Sequence, residues 1–222
     1  MLGLDQRFVP LDIHYDVRLT AFRDFRENFS ADVWQTLGYG NSPAIFTKTE
    51  TPVSLAILAI MASIMLIRNN KRALMVNHLI IMGGMVLIGV STLLFENKAI
   101  GAPAWMVLIG TGLYMGYVPF NSIFFDRLIA TFRYVGTVGF IMYVADAFGY
   151  VGSVGVLFLK EFSASKLSYM EVFVSGGYMV SIAGSLLILC SMWYFHLKYK
   201  SYDVNREDTL QELEILKTPR SQ

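Results

Sequence analysis

GLYMGYVPFNSIFFDRLIATFR, from Gly112 to Arg133, begins like an apolar membrane helix and closes on charge. Pro119 and Asn121 stand in its middle, where a helix facing lipid has use for neither. Pro119 lacks a backbone donor and clashes with the carbonyl of Met115, so the stretch predicts a kink or local break there. Asn121, two residues on, is placed to engage the freed backbone or a ligand. Tyr114, Tyr117 and Asn121 recur about one turn apart and share a face. Gly112 and Gly116 form a small-xxx-small step that lets a neighbouring helix approach closely. A kinked helix with a polar stripe suits the wall of a gated cavity, with Pro119 as its gate. The alternative is a structural kink in which Asn121 is satisfied locally.

The rest of the chain is of the same kind. It has 222 residues, 55% hydrophobic and 16% charged, with a mean hydropathy of +0.49. A soluble domain carries about 25% charge. The windows Thr51–Ile67, Ala73–Phe95, Ala99–Phe125 and Val172–Leu197 hold no Asp, Glu, Lys or Arg, and Tyr134–Leu159 is broken only by Asp146. Crossing the hydrocarbon core takes about 20 apolar residues. Uninterrupted runs without period-2 alternation exclude barrel strands, so an all-α, polytopic transmembrane helix bundle is expected. The start, MLGLDQRFVPLDIHYD, has none of the features of a signal peptide. Cys190 is the only cysteine, so no intrachain disulfide forms. The net charge of +1 gives no indication of a nucleic-acid partner.

Five spans follow directly: Pro52–Ile67, Ala73–Phe95, Pro103–Phe125, Tyr134–Leu159 and Met170–Phe195. Upstream, Phe22, Phe25, Phe29, Val33 and Leu37 fall on one helical face, with Arg23, Glu27 and Asn28 away from it. Arg23 and Glu27 are four apart, a pairing distance on a helix. One reading is an amphipathic helix on the membrane surface. The other is a sixth span, crossing from about Asn28 to Thr47 and broken at Gly38–Pro43, which requires surrounding protein or a watery cavity. With that crossing, Arg68, Lys71, Arg72, Arg127, Arg133, Lys198 and Lys200 share one side, against Lys48, Lys98, Lys160 and Lys166 on the other. The denser set marks the cytoplasmic side and places both termini there. Residues 1–19 then form an N-terminal cytoplasmic segment, 20–197 the bundle and 198–222 a charged cytoplasmic tail. From Tyr202 the tail reads as a short amphipathic helix or a disordered segment.

Polar groups inside such spans are costly, about 2.5–3.5 kcal/mol for an acid at a helix centre. Asp146, midway through the fifth span, is either a structural acceptor or a proton- or substrate-binding carboxylate lining a pathway. Arg23, Glu27, Asn121, Tyr114 and Tyr117 are the further candidates for that pathway. Asp126, Arg127 and Arg133 close one helix and open the next, either as an ion-paired latch between helix ends or as solvated charges. Gly136, Gly139, Gly149, Gly152 and Gly155, with Ser175, Gly176, Ser181, Gly184 and Ser185, read as packing surfaces. His78, beside Asn77, reads as an interfacial hydrogen bonder. No catalytic or phosphate-binding motif is present, and His14, His78 and His196 have no metal-ligand spacing. An enzyme, a metal site and a cofactor are therefore not expected.

The broken polar first helix, the basic loop RNNKR, the charged loop DRLIATFR and the glycine-rich fifth span resemble the C-terminal half of a major facilitator superfamily transporter. FRDFRENF, the segment from PAIFT to RNNKRAL, and above all the YVPFN–FDRLIATFR block resemble an uncharacterised family of bacterial multi-pass membrane proteins, itself distantly facilitator-like. The likeness covers roughly residues 15–200. RNNKRA lacks the glycine and aspartate that facilitators usually carry in this loop. The resemblance implies six spans in a bacterial inner membrane and a small-molecule solute moved by alternating access. Its partners would be the lipid bilayer and a second six-helix half, in the same longer chain or in another copy. Rival expectations are a scaffold or regulatory subunit that transports nothing and a membrane-embedded enzyme acting on lipid-like substrates.

Overall fold

The computed structural model describes residues 9–40, 42–132, 138–162 and 168–217. Helices α1 (Val9–Thr36), α2 (Ala44–Met65) and α3 (Asn70–Glu96) come first. Next are α4 (Ala102–Pro119), a π-helical turn over Phe120–Phe124 and α5 (Phe125–Phe132), which run on as one rod. Last are α6 (Val138–Phe162) and α7 (Tyr169–Lys217). Counting the rod once gives six helices and, among the described residues, no strand. Four are long and apolar enough to cross a membrane: Ala44–Met65, Asn70–Glu96, Ala102–Thr131 and Tyr169–Lys200. Such helices place the chain in a bilayer, where each satisfies its own backbone.

The expected first span, Asn28 to Thr47 with an internal break, is corrected. Its two halves belong to different helices. Gly38 takes φ +85 and ends α1, while the Tyr39 amide donates to the Trp34 carbonyl (2.8 Å) and Tyr39 packs edge-on against Trp34 (5.4 Å). A left-handed residue, a bond spanning five residues and an apolar contact closing the turn together make a Schellman stop. α2 then starts at Ala44, eight residues before the expected Pro52, and carries Pro52 inside it. The start of α1 moves too: Tyr15, Asp16 and Leu19 are buried on a helix that already runs at Val9. They lie within the segment expected to precede the bundle.

Elsewhere the ends follow capping chemistry. The Asn69 side chain accepts from the Arg72 amide (3.0 Å) and starts α3. Lys98, at φ 57, ends it as the Ala99 amide reaches the Leu94 carbonyl (2.9 Å). The break expected at Pro119 is a π-helical turn, and Asp126 and Arg127 do not end the helix, which continues to Phe132. α7 likewise runs past Phe195 to Lys217 without a proline or glycine after Gly184 to stop it.

Small residues set the packing. A Cβ on Gly112 would lie 2.6 Å from the Gly84 carbonyl, so α4 and α3 touch backbone to backbone there. Gly149 and Gly152 of α6 receive Thr20 and Val17 of α1. The apolar face of α1 covers α7, with Phe22 stacked on Phe173 (5.2 Å) and Phe29 against Tyr169 (5.0 Å). Gly139 and Gly155, expected to pack, face open space. Gly136 and Arg133 lie outside the described residues.

Candidate functional site

The side of α1 turned from α7 carries Asp16, Thr20, Arg23 and Glu27, which at 100° per residue fall within an arc of about 60°. α4 and the turn after it bring Tyr114, Tyr117 and Asn121 against that arc. Asn121 Nδ2 donates to Asp16 Oδ1 (3.4 Å). The Arg23 guanidinium lies 3.8 Å from the centre of the Tyr117 ring, a cation–π distance. Tyr114 Oη donates to Glu27 Oε1 (2.7 Å). The sequence order is opposite on the two helices, so this is an antiparallel polar zipper.

Its neighbours complete it. Arg23 pairs with Asp24 (2.6 Å) and more loosely with Glu27 (3.7 Å). Ser153 of α6 donates to the other Asp24 oxygen (2.6 Å). Arg26, buried, pairs with Glu50 of α2 (2.6 Å) and donates to the Met106 carbonyl (3.4 Å). Asp146 is half-buried on α6, within electrostatic reach of Arg23 and Asp16. No described residue donates a hydrogen bond to it.

Of the expected latch, Asp126 and Arg127 are described and do not pair with each other; Arg133 lies outside the described residues. Arg127 donates to Asn70 at the start of α3 (2.6 Å), while Asp126 is exposed and has no ion pair among the described residues. The Pro119 carbonyl accepts from Asn77 Nδ2 (3.2 Å), so an amide of α3, not Asn121, serves the backbone at the break. His78 is buried. Its Nδ1 lies 2.8 Å from the Leu74 carbonyl and therefore carries the proton, and its Nε2 accepts from Ser191 of α7 (3.2 Å).

Asp16, Thr20, Asp24, Arg26, Glu50 and Ser153 were not singled out by sequence. The spacing 16, 20, 23, 27 was the available signal, and starting the helix too late hid it. Around Arg23 stand four carboxylates, those of Asp16, Asp24, Glu27 and Asp146, against one guanidinium. Such a seam attracts cations and repels anions. On its opposite side, α1 borders a cavity of about 390 Å³ shared with α6 and α7, lined by Val17, Phe22, Phe25 and Met179.

No curated protein and no solved structure matches the chain. A family match covers residues 8–198, and so takes in α1 to α6, α7 as far as Lys198 and every residue of the zipper. The chain belongs to this family of unknown function, DUF5690.

Proposed function

We propose that the chain is a six-pass, facilitator-like half of a secondary transporter, with the seam between α1, α4 and α6 as the polar wall of its solute pathway. The zipper carries this reading. It and the Arg26–Met106 contact hold α1 alongside α4 from Asn121 back to Met106. On α1 these contacts run from Asp16 to Glu27, a rise of about 16 Å, more than half of a hydrocarbon core of about 30 Å. A helix resting on the membrane surface crosses a span; it does not follow one for that distance. α1 is then a sixth pass, and the ion pairs of Arg23 with Asp24 and Glu27 and of Arg26 with Glu50 lower the cost of its charges in lipid. The basic clusters put both ends on the cytoplasmic side of a bacterial inner membrane, and a second six-helix unit supplies the facing wall.

Topology is tested in a Cys190→Ser background with an impermeant thiol reagent. A cysteine at Asn97 reacts from outside; cysteines at Asn69 and Asp5 do not. Outside labelling at Asp5 removes α1 from the set of passes. Function is tested on a solute found by uptake screening. Asp146, which holds no hydrogen bond among the described residues, is the group free to cycle. Asp146→Asn is expected to abolish uphill uptake and leave folded yield unchanged. Normal uptake by this variant excludes coupling at Asp146 and favours a scaffold role for the residue.

A further inference from the structure

Asp16 is fully buried, and its carboxylate is only half satisfied. Both hydrogen bonds it accepts, from Thr20 Oγ1 and Asn121 Nδ2, are 3.4 Å long and fall on the same oxygen, Oδ1. Oδ2 has no partner. Asn121 Oδ1 has none either. Nor has the buried Asn77 Oδ1, whose amide donates to the Pro119 carbonyl from its other end. All three orphans are acceptors, and they surround the π-helical turn that follows Pro119. Buried polar atoms left without partners in a folded protein call for a water, an ion or a functional use.

We propose that Asp16, Thr20 and Asn121 form a binding site for a monovalent metal cation, with sodium as the ion to test. A hard cation is held by oxygen ligands, and oxygens without donors are what this turn presents. Helices interrupted at membrane depth are also where transporters expose the carbonyls that hold such ions. The charge of the ion follows from the ligands. Asp16 is the one carboxylate among the site's ligands, and Thr20 and Asn121 are neutral. The charged and titratable groups within reach are Arg23 of α1, Tyr117 of α4 and Asp146 of α6. Arg23 is already committed to Asp24, Glu27 and the Tyr117 ring. One added positive charge balances Asp16, whereas a water molecule leaves the charge as it is. The inference rests on the proposed function only in treating this ion as a coupling ion; the site itself stands on the geometry around Asp16.

The test is thermal unfolding of the whole chain in detergent, in sodium chloride against choline chloride of equal ionic strength, at neutral and mildly acidic pH. Sodium is expected to raise Tm saturably, and choline is not. Asp16→Asn removes the sodium response. Thr20→Val, which keeps the shape and loses one oxygen, needs at least about tenfold more sodium for the same response. It also stands in for Asp16→Asn if that variant fails to fold. Equal Tm in sodium and choline overturns the site, and so does a sodium response that survives Asp16→Asn. Stabilisation by acid without any response to sodium makes the occupant a proton and overturns it as well. Sodium binding without solute uptake ends the transport reading and leaves the site in place; uptake without sodium binding does the reverse.

Discussion

Arg26 and Glu50 meet at 2.6 Å, and their exposures differ sharply: the arginine side chain is 3% accessible and the glutamate 41%. The pair fastens α1 to α2, with Met106 of α4 as a second acceptor for the arginine. Removing a partner from a wholly buried pair costs about 3–5 kcal/mol, because a charge is stranded.

This asymmetry makes the two single substitutions unequal. Glu50→Ala strands a buried guanidinium and is expected to cost about 2 kcal/mol, below the fully buried range because Glu50 is partly solvated. Arg26→Met leaves a carboxylate that already meets solvent and fills the same space with apolar atoms, so it is expected to cost less. Denaturant or thermal unfolding of both variants in one detergent decides. Arg26→Met proving the more damaging contradicts the pairing.

Glycines offer a matched comparison. At Gly112 an added methyl would meet the Gly84 carbonyl and Ile88, so Gly112→Ala is expected to push α3 from α4 and cost about 1–3 kcal/mol. At Gly155 nothing lies within 4 Å, and Gly155→Ala is expected to be neutral or to add up to about 1 kcal/mol. Equal melting shifts for the two would mean that the α3–α4 contact is looser than described.

Lys98 ends α3 in the left-handed region that side chains other than glycine occupy at a cost. Lys98→Gly is expected to stabilise the folded chain by about 0.5–1 kcal/mol, after allowing for the extra freedom glycine gains when unfolded. Thermal unfolding of the variant checks it, and a lower Tm argues against the Schellman-type end at this position.

Four of the five apolar windows fall on helices long and apolar enough to cross a membrane, but the windows did not show where those helices begin and end. Asp126 and Arg127 ended a hydrophobic window, yet a helix needs no apolarity to continue, and this one reaches Phe132. Lys48 and Glu50 likewise excluded the first turns of α2 from the expected span. GYGNSP was visible as a break; whether a break lies inside a span or ends one depends on the φ of Gly38, which sequence does not carry. The stripe of Tyr114, Tyr117 and Asn121 was legible from its spacing, whereas its partner stripe on α1 needed the correct helix start. The Arg26–Glu50 pairing, 24 residues apart in the chain, required the tertiary fold.

α7 has a mechanical consequence. Its 49 residues make one uninterrupted helix, and the last 17, beyond Lys200, extend about 25 Å past the membrane-spanning part. A stiff rod turns rotation at its base into displacement at its tip: a tilt of about 10° moves the far end by about 4 Å. α7 is seated against α1 through Phe22 and Phe173, on the face of α1 opposite the zipper. A tilt passed from α1 to α7 would therefore be amplified into a lateral swing at Lys217, at the far end of the rod.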